Sequence, residues 1–366
     1  MNHDLLTSAN FWEGGGHLVA GNMEVELAPL GVCGPSVIFR TSGSTGEGKW
    51  IVLEKQAMRV SARAVNAWLK VTKESRWGLA LPTNHVGGFS IFARCFEAGC
   101  ELSVFSQPWD PVVFAEWVRF EGVTYVSLVP TQVHDLVSAG MEAPKSLTAV
   151  VVGGGRLSDD LGQAARDLGW PVLASYGMTE AGSQIATQAL ESLKMDFKQA
   201  RMELLPIWEA SADEDDQLRV TGDALFAGWI EANQFVPRPS DDFVTNDRVK
   251  ISGRTIEPLG RSDSMVKVLG ELVDVEAVER RVAGHLAASD PVSRVAVVAL
   301  PEGRSEHVLV AVFEPKADPE AVEAYNRQVS GPERICKFLE IEKIPRSSLG
   351  KVLRRRLAEQ VAESCR

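Results

Sequence analysis

Thr41-Ser42-Gly43-Ser44-Thr45-Gly46, with Lys49 three residues beyond, decides how this chain is read. Four hydroxyls, three glycines and a lysine in nine residues suit a loop that wraps phosphate oxygens. Glycine tolerates positive φ and has no Cβ, so backbone N–H groups can converge on an anion. The lysine adds a mobile point charge for a polyphosphate. Just before the loop, Pro35-Ser36-Val37-Ile38-Phe39-Arg40 reads as a short buried strand, and helical periodicity begins near Glu54. Gly43 to Lys49 also fits G-x-x-x-x-G-K, but that loop needs Ser or Thr next to hold Mg²⁺, and Trp50 stands there. An ordinary polar turn is the plainer alternative.

From Val37 to about Thr187, apolar runs alternate with helical patterns. Strands are expected at Trp77–Leu81, Leu102–Phe105, Val123–Val129, Leu147–Val152 and Pro171–Ala174. Helices are expected at Gly88–Ala98, Pro111–Phe120, Thr131–Ala139 and Ser158–Leu168. This alternation predicts an α/β fold with a parallel sheet flanked by helices. After Met202 the pattern changes to short antiparallel strands at Leu218–Thr221, Phe243–Thr245 and Arg248–Ile251, a small β-subdomain at about 203–260. Near Gly260–Asp263 a boundary divides the chain into a large lobe, 1–260, and an α+β lobe, 261–366. The second lobe is expected to hold strands at Met265–Leu269, Val292–Leu300, His307–Phe313 and Phe338–Ile341. Its helices are expected at Val275–Ala288, Pro319–Val329 and Val352–Glu363. Its size lies within the usual domain range.

At 366 residues, 45% hydrophobic and 24% charged, the chain has the composition of a soluble protein with a large core. No run approaches the roughly 18 apolar residues of a membrane span, and Met1 to Gly16 carries no apolar leader. No membrane insertion and a cytoplasmic location are therefore expected. From Arg261 to Arg366 there are 17 basic and 17 acidic residues, so the net charge of −11 arises wholly before Arg261. An acidic first lobe argues against nucleic acid as a partner, and any polyanion must be held by local loops. The basic run Arg354-Arg355-Arg356 reads as the solvated face of a last helix or as a coenzyme-phosphate contact. Of the five cysteines only Cys95 and Cys100 are close, which favours reduced thiols and gives no zinc pattern. No G-x-S-x-G elbow is present, which disfavours serine hydrolysis.

Ser175-Tyr176-Gly177-Met178-Thr179-Glu180 is the second strong segment. It is expected to follow a strand and open a helix, at the carboxyl end of the sheet where open α/β folds bind ligands. An aromatic face, a glycine turn, a hydroxyl and a carboxylate could stack a base, bind phosphate and ligate Mg²⁺. A capped helix start accounts for the same residues equally well.

Together, the two segments resemble the acyl-adenylate-forming (AMP-binding) superfamily of acyl-CoA synthetases, luciferases and adenylation domains. Further motifs appear in that family's order: Leu81-Pro82-Thr83-Asn84-His85, Gly153-Gly154-Gly155, Val244-Thr245-Asn246-Asp247, Gly260-Arg261-Ser262-Asp263 with Lys267 and Gly270, and Pro345-Arg346-Ser347-Ser348-Leu349-Gly350-Lys351. The departures are Gly48 for proline and Trp50 for glycine near the first loop, Asn246 for the usual glycine, and 40 residues ahead of the loop where the family carries over a hundred.

The resemblance implies ATP and CoA as substrates with Mg²⁺. It places Thr41, Ser42, Gly43, Ser44, Thr45, Gly46 and Lys49 on phosphate, Gly154 and Gly155 beside adenine, and Tyr176 stacked on it. Thr179 would contact the α-phosphate, Glu180 would hold Mg²⁺, Asp247 would bind ribose, and Arg261 would belong to the nucleotide site. His85 would flank the acyl pocket, Gly270 would face CoA, Asp263 would be the hinge of a mobile C-terminal lobe, and Lys351 would be the catalytic lysine. Taken alone, His85 reads equally as a satisfied turn residue, and Lys351 as a solvated loop lysine. The short architecture, with Val129-Pro130-Thr131-Gln132-Val133, Tyr-Gly-Met-Thr-Glu and Val-Thr-Asn-Asp, is similar to the short o-succinylbenzoate–CoA ligases of menaquinone biosynthesis. That implies an ATP-dependent ligase joining a small aromatic carboxylic acid to CoA through an acyl-adenylate. Another aryl- or fatty-acyl-CoA ligase, a carrier-protein loader and a non-catalytic nucleotide-binding protein remain open. Oligomeric state is also open, with a homodimer among the alternatives.

Overall fold

The structure is a computed structural model that describes residues 3–20, 31–32, 34–41, 49–286, 294–329, 331–347 and 350–364. The chain forms two compact units. One comprises Met1–Thr245 with Lys250–Pro258, the other Asn246–Val249 with Leu259–Arg366. No helix among the described residues is long and apolar enough to cross a membrane.

In the first unit, α1 (His3–Leu6) and α2 (Ala9–Trp12) precede β1 (Leu18–Ala20), β2 (Ser36–Arg40), β3 (Trp50–Glu54) and α3 (Lys55–Trp68). The Lys55 ammonium, 4% exposed, ties the first segment down. It donates to the Phe11 carbonyl at 2.6 Å and the Gly14 carbonyl at 3.2 Å, and lies 4.1 Å from the Phe11 ring centroid. Burial lowers its pKa.

The alternating region then gives β4 (Arg76–Leu79), α4 (Val86–Ala98), β5 (Glu101–Val104), α5 (Pro111–Glu121), β6 (Tyr125–Leu128), α6 (Pro130–Ser138), β7 (Ala149–Val152), α7 (Asp159–Asp167) and β8 (Val172–Met178). Neighbours in the order β5-β4-β6-β7-β8 pair in parallel, as the apolar runs predict. The helix ends are those the sequence marks. Asp110 accepts from the N–H groups of Val112 and Val113 ahead of Pro111, and Ser158 caps α7. Helix α4 differs from an ordinary amphipathic helix. Residues Gly88 to Cys95 are all buried, so it is a core helix packed on every side.

Beyond β8 the sheet turns antiparallel. Strand β9 (Ser183–Thr187) pairs with β8, β10 (Met202–Leu204) with β9, and β11 (Glu209–Ala212) with β12 (Gln217–Thr221). The hairpin β13 (Gly228–Glu231) and β14 (Gln234–Pro237) instead joins β3, in a second sheet of order β1-β2-β3-β13-β14. The expected strands Phe243–Thr245 and Arg248–Ile251 are one continuous strand, β15 (Asp242–Ser252), followed by β16 (Thr255–Arg261). Asn246, between those runs, does not break the strand.

The segment Ser175–Glu180 does not open a helix. Strand β8 runs through Met178, a single 3₁₀ turn spans Thr179–Ala181, and the chain returns as β9. A bulge between Tyr176 and Gly177 accompanies the reversal. The crossing is so close that a Cβ on Gly177 would stand 1.7 Å from the Ser183 carbonyl oxygen.

The second unit contains the hairpin β17 (Met265–Val268) and β18 (Glu271–Asp274), then α8 (Val275–Ala283), β19 (Arg294–Glu302), β20 (Glu306–Glu314), α9 (Pro319–Asn326), β21 (Ile335–Glu340) and α10 (Arg354–Ser364). Period-two alternation gives its sheet two apolar faces. Val295, Val297, Leu309, Ala311 and Phe313 pack with residues of α8 and α9. Ala296, Val298, Val310 and Val312 pack with Ile344, Leu357 and Val361. Val292 and Ser293, expected to begin β19, lie outside the described residues.

Gly177→Ala should lower stability by ~2 kcal/mol or more, because the added methyl meets backbone that cannot rotate away. Gly15→Ala, whose Cβ would meet nothing within 4 Å, is the control. Equal thermal midpoints for both variants would show that the crossing is not rigid.

Candidate active site

Thr41 and Lys49 form the neck of the proposed phosphate loop. The Thr41 N–H and Oγ1 both donate to the Lys49 carbonyl, at 2.8 and 3.1 Å. Arg40 faces Trp50 at the start of the antiparallel β2–β3 pair, so the loop joins two strands before α3 begins. The Lys49 ammonium lies 5.6 Å from the Trp229 ring centroid. The other candidate residues of the loop, Ser42, Gly43, Ser44, Thr45 and Gly46, lie outside the described residues.

The glycine turn follows β7. The Gly153 N–H donates to the Leu128 carbonyl at 3.1 Å, and Gly154 takes φ +75°. A Cβ on Gly154 would approach Val129, and one on Gly155 would approach Pro130, so this turn lies against the start of α6. Gly153 in turn neighbours Ser175 of β8. The turn and the Tyr176 segment therefore share the carboxyl end of the parallel strands. Tyr176, Thr179 and Glu180 are all half-buried there. The Glu180 carbonyl accepts from the Phe226 N–H at 2.8 Å, which fixes the turn.

His85 is the N-cap residue of α4, with extended backbone and no side-chain cap bond. Its carbonyl accepts from the N–H groups of Gly88 and Phe89. Burial pulls its imidazole below the ordinary value, so the ring is neutral at neutral pH. Gly88 is required beside it, because a Cβ would lie 2.4 Å from the Pro82 carbonyl oxygen.

Nine residues along α4 lies Arg94, which the sequence reading did not select. Its side chain is 1% exposed, and among the described residues no carboxylate pairs with it. Nη2 donates to Ser183 Oγ at 3.1 Å, Nη1 reaches Ser127 Oγ at 3.4 Å, and the guanidinium lies 5.0 Å from the Trp77 ring centroid. Among the described residues, Nε of Arg94 and Nε1 of Trp77 are buried donors without a protein acceptor. Burial lowers the guanidinium pKa to about 10, which leaves it charged at neutral pH. A buried cation surrounded by hydroxyls, next to two unmatched donors, has the chemistry of an anion site. The signal in the sequence is a single arginine within the apolar run Phe89-Ser90-Ile91-Phe92-Ala93-Arg94-Cys95-Phe96.

In the second unit Arg261 joins two of the selected aspartates. Nη1 donates to Asp247 Oδ1 at 2.7 Å, while Nε and Nη2 grip both oxygens of Asp263 at 2.8 and 2.9 Å. The hydrogen bond from Asp263, reinforced by the Asp247 charge, raises the Arg261 pKa further. Asp263 sits in a 3₁₀ turn, Ser262–Ser264, whose Ser262 hydroxyl donates to the Asn246 carbonyl. Gly270 and Leu269 both have positive φ in the two-residue turn between β17 and β18. Lys351 is exposed in a turn closed by the Ser347 N–H on its carbonyl at 2.8 Å, and Gly350 before it takes φ +75°. Thus Thr41, Lys49, His85, Gly154, Gly155, Tyr176, Thr179 and Glu180 belong to the first unit. Asp247, Arg261, Asp263, Gly270 and Lys351 belong to the second.

Residues 28–205 match the family of AMP-binding enzymes. The chain is 28% identical over 305 residues to the 2-succinylbenzoate–CoA ligase of Escherichia coli, covering 81% of this chain and 62% of that protein. The chain thus spans a little over three-fifths of that ligase's length. Wild-type E. coli MenE, solved with a phenylether-linked analogue of OSB-AMS, superposes with a TM-score of 0.70 at 25% identity, over 89% of this chain and 69% of that one. Bacillus subtilis MenE in complex with ATP and magnesium ion has the same fold. The TM-score is 0.74 at 20% identity, covering 98% of this chain and 82% of that one.

Proposed function

We propose that this chain is a cytoplasmic, AMP-forming acid–CoA ligase whose acid is o-succinylbenzoate. The observation that carries the acid is Arg94. An acid with one carboxylate to activate and a second to be recognised matches a buried, uncompensated cation at the same end of the sheet as Tyr176–Glu180. The family match and the relatives named above support the reaction class.

A carboxylate is a poor acyl donor because its oxygen leaves badly. In the proposed reaction one carboxylate oxygen attacks the α-phosphorus of ATP, and pyrophosphate leaves. The thiol of CoA then attacks the acyl carbon, and AMP leaves. Tyr176 stacks on adenine between the glycine turn and β9, Thr179 contacts the α-phosphate, and the loop from Thr41 to Lys49 retains the pyrophosphate. His85 walls the acyl pocket as a neutral ring, so it neither repels the cation Arg94 nor neutralises the acid. From the second unit, residues 261–366 present Lys351, whose ammonium balances charge that develops during adenylation. Asp247 binds the ribose with Arg261 orienting its carboxylate, Asp263 is the hinge, and Gly270 faces CoA.

The residues fit a magnesium ion that arrives with the nucleotide. Among the described residues no group of three His, Cys, Asp or Glu side chains converges, whereas Glu180 offers a single half-exposed carboxylate on a fixed turn. One carboxylate completed by phosphate oxygens is the donor set that this hard cation takes. When bound, it supplies charge neutralisation on the phosphates.

Pyrophosphate release with ATP, Mg²⁺ and CoA should be fastest with o-succinylbenzoate, in a panel including benzoate, medium-chain fatty acids and amino acids. A higher kcat/KM for one of the others would overturn the acid assignment and leave the reaction class standing. Arg94→Met should raise KM for o-succinylbenzoate by ~10-fold or more, the scale of a charged hydrogen bond, while benzoate turnover changes little. Its thermal midpoint should hold or rise, since a buried cation without a counter-ion gives way to an apolar chain of similar size. Equal losses with both acids would refute the recognition role. Lys351→Ala should slow adenylation by at least ~10²-fold, yet spare thioester formation from supplied acyl-adenylate. Equal loss of both half-reactions would show the role to be wrong.

A further inference from the structure

The last turn of α4 carries two thiols that no step of the proposed reaction uses. Gly99 ends the helix in the left-handed region, at φ +63°. The Gly99 N–H donates to the Phe96 carbonyl at 3.3 Å, and the Cys100 N–H to the Cys95 carbonyl at 3.2 Å. This pair of bonds is the Schellman arrangement, in which the residue after the left-handed glycine packs against the residue four before that glycine. Here both residues are cysteines. Cys95 Sγ donates to the Glu101 carbonyl oxygen at 3.8 Å, and the two thiols are near enough for each to shift the other's titration. Cys95 is 2% exposed and Cys100 is half-buried, so a small reagent reaches the pair from the Cys100 side.

We propose that Cys95 and Cys100 form a peroxide-reactive dithiol that closes to an intramolecular disulfide at the end of α4. The Cys95 thiol beside it holds Cys100 below its ordinary range, and the Cys100 thiol, with burial, raises Cys95. Cys100 is the half-buried member of the pair and Cys95 is 2% exposed, so Cys100 is the sulfur that a hydroperoxide meets first. Its thiolate attacks one oxygen of a hydroperoxide, the O–O bond breaks, and Cys100 becomes a sulfenic acid while hydroxide or an alkoxide leaves and takes a proton from solvent. The Cys95 sulfur then attacks the Cys100 sulfur, its proton goes to the departing oxygen, the S–O bond breaks, and water leaves. Two thiols give up two electrons, and one peroxide is reduced. The helix turn already brings the two side chains together, as the short reach of a disulfide requires. Closure occurs one residue from Arg94, yet it rests only on the geometry of this turn and is independent of the proposed reaction.

The sequence makes the test direct, because cleavage after Arg94 and Arg119 leaves both cysteines in one tryptic peptide, Cys95–Arg119. The whole protein is treated with hydrogen peroxide under native conditions, then denatured, alkylated without reductant, digested and weighed. The expected product is that peptide unalkylated and two hydrogens lighter, with both alkylation sites restored by dithiothreitol. Cys100 should be consumed roughly tenfold faster than the exposed Cys336, which serves as the internal reference. In Cys95→Ser, Cys100 should accumulate as a sulfenic acid that dimedone traps. In Cys100→Ser, Cys95 should stay fully alkylatable. Both thiols still alkylatable after Cys336 has oxidised would overturn the proposal. So would a Cys100 sulfinic acid in the wild-type peptide with Cys95 untouched.

Discussion

The contact between Gly177 and the Ser183 carbonyl governs how the first unit is built around its site. Strand β8 leaves its parallel partner β7 after Ala174 and takes up β9 from Ser175 onward. With no Cβ at 177, the two strands can cross closely enough for the reversal to need only one 3₁₀ turn. That turn is where Thr179 and Glu180 are presented. The cost appears on the partner strand, where Ser183 holds φ +135°, a region that residues with a side chain rarely occupy. Its hydroxyl is the acceptor for Arg94, so the same strained residue supports both the Tyr176–Glu180 segment and the buried cation.

Charge follows the same logic. The chain carries a net −11, and the cations of the proposed site stand apart from one another in sequence and setting: Lys49 at the neck of the loop, Arg94 in the core and Lys351 on a turn. Isolated cations in an acidic surface give little long-range attraction for polyanions. Selectivity must then come from short-range hydrogen-bond geometry, which suits ligands of defined shape. Arg261 shows the opposite arrangement. Two aspartates hold it from two directions, so it stiffens the Asp247–Asp263 region, and its charge is already balanced.

Much of this fold was legible in the sequence because the apolar runs of the parallel strands are short and the helices between them carry explicit caps. Asp110 before Pro111, and Ser158 before Asp159 and Asp160, announce their helices to within a residue or two. What the sequence concealed depends on tertiary context. Thr179-Glu180 has the chemistry of a helix start, but pairing of β8 with β9 overrides that local preference. Asn246 looks like a break, yet β15 passes through it because neighbouring strands fix its extension. Arg94 was missed because motif reading searches polar clusters. A lone arginine inside an apolar helix becomes conspicuous only when its surroundings prove to contain no counter-charge.

Lys49 also has an optical consequence. Its ammonium sits over the indole of Trp229, and the adjacent Trp50 ring lies 5.7 Å from the Arg40 guanidinium. Each pairing places a full charge on an aromatic face, where it polarises the ring. A polyanion in the loop competes with those faces for the same cations, and a cation drawn away alters the field at an indole. In the proposed reaction, phosphate arriving in the loop would therefore change the emission of Trp50 and Trp229 without any label.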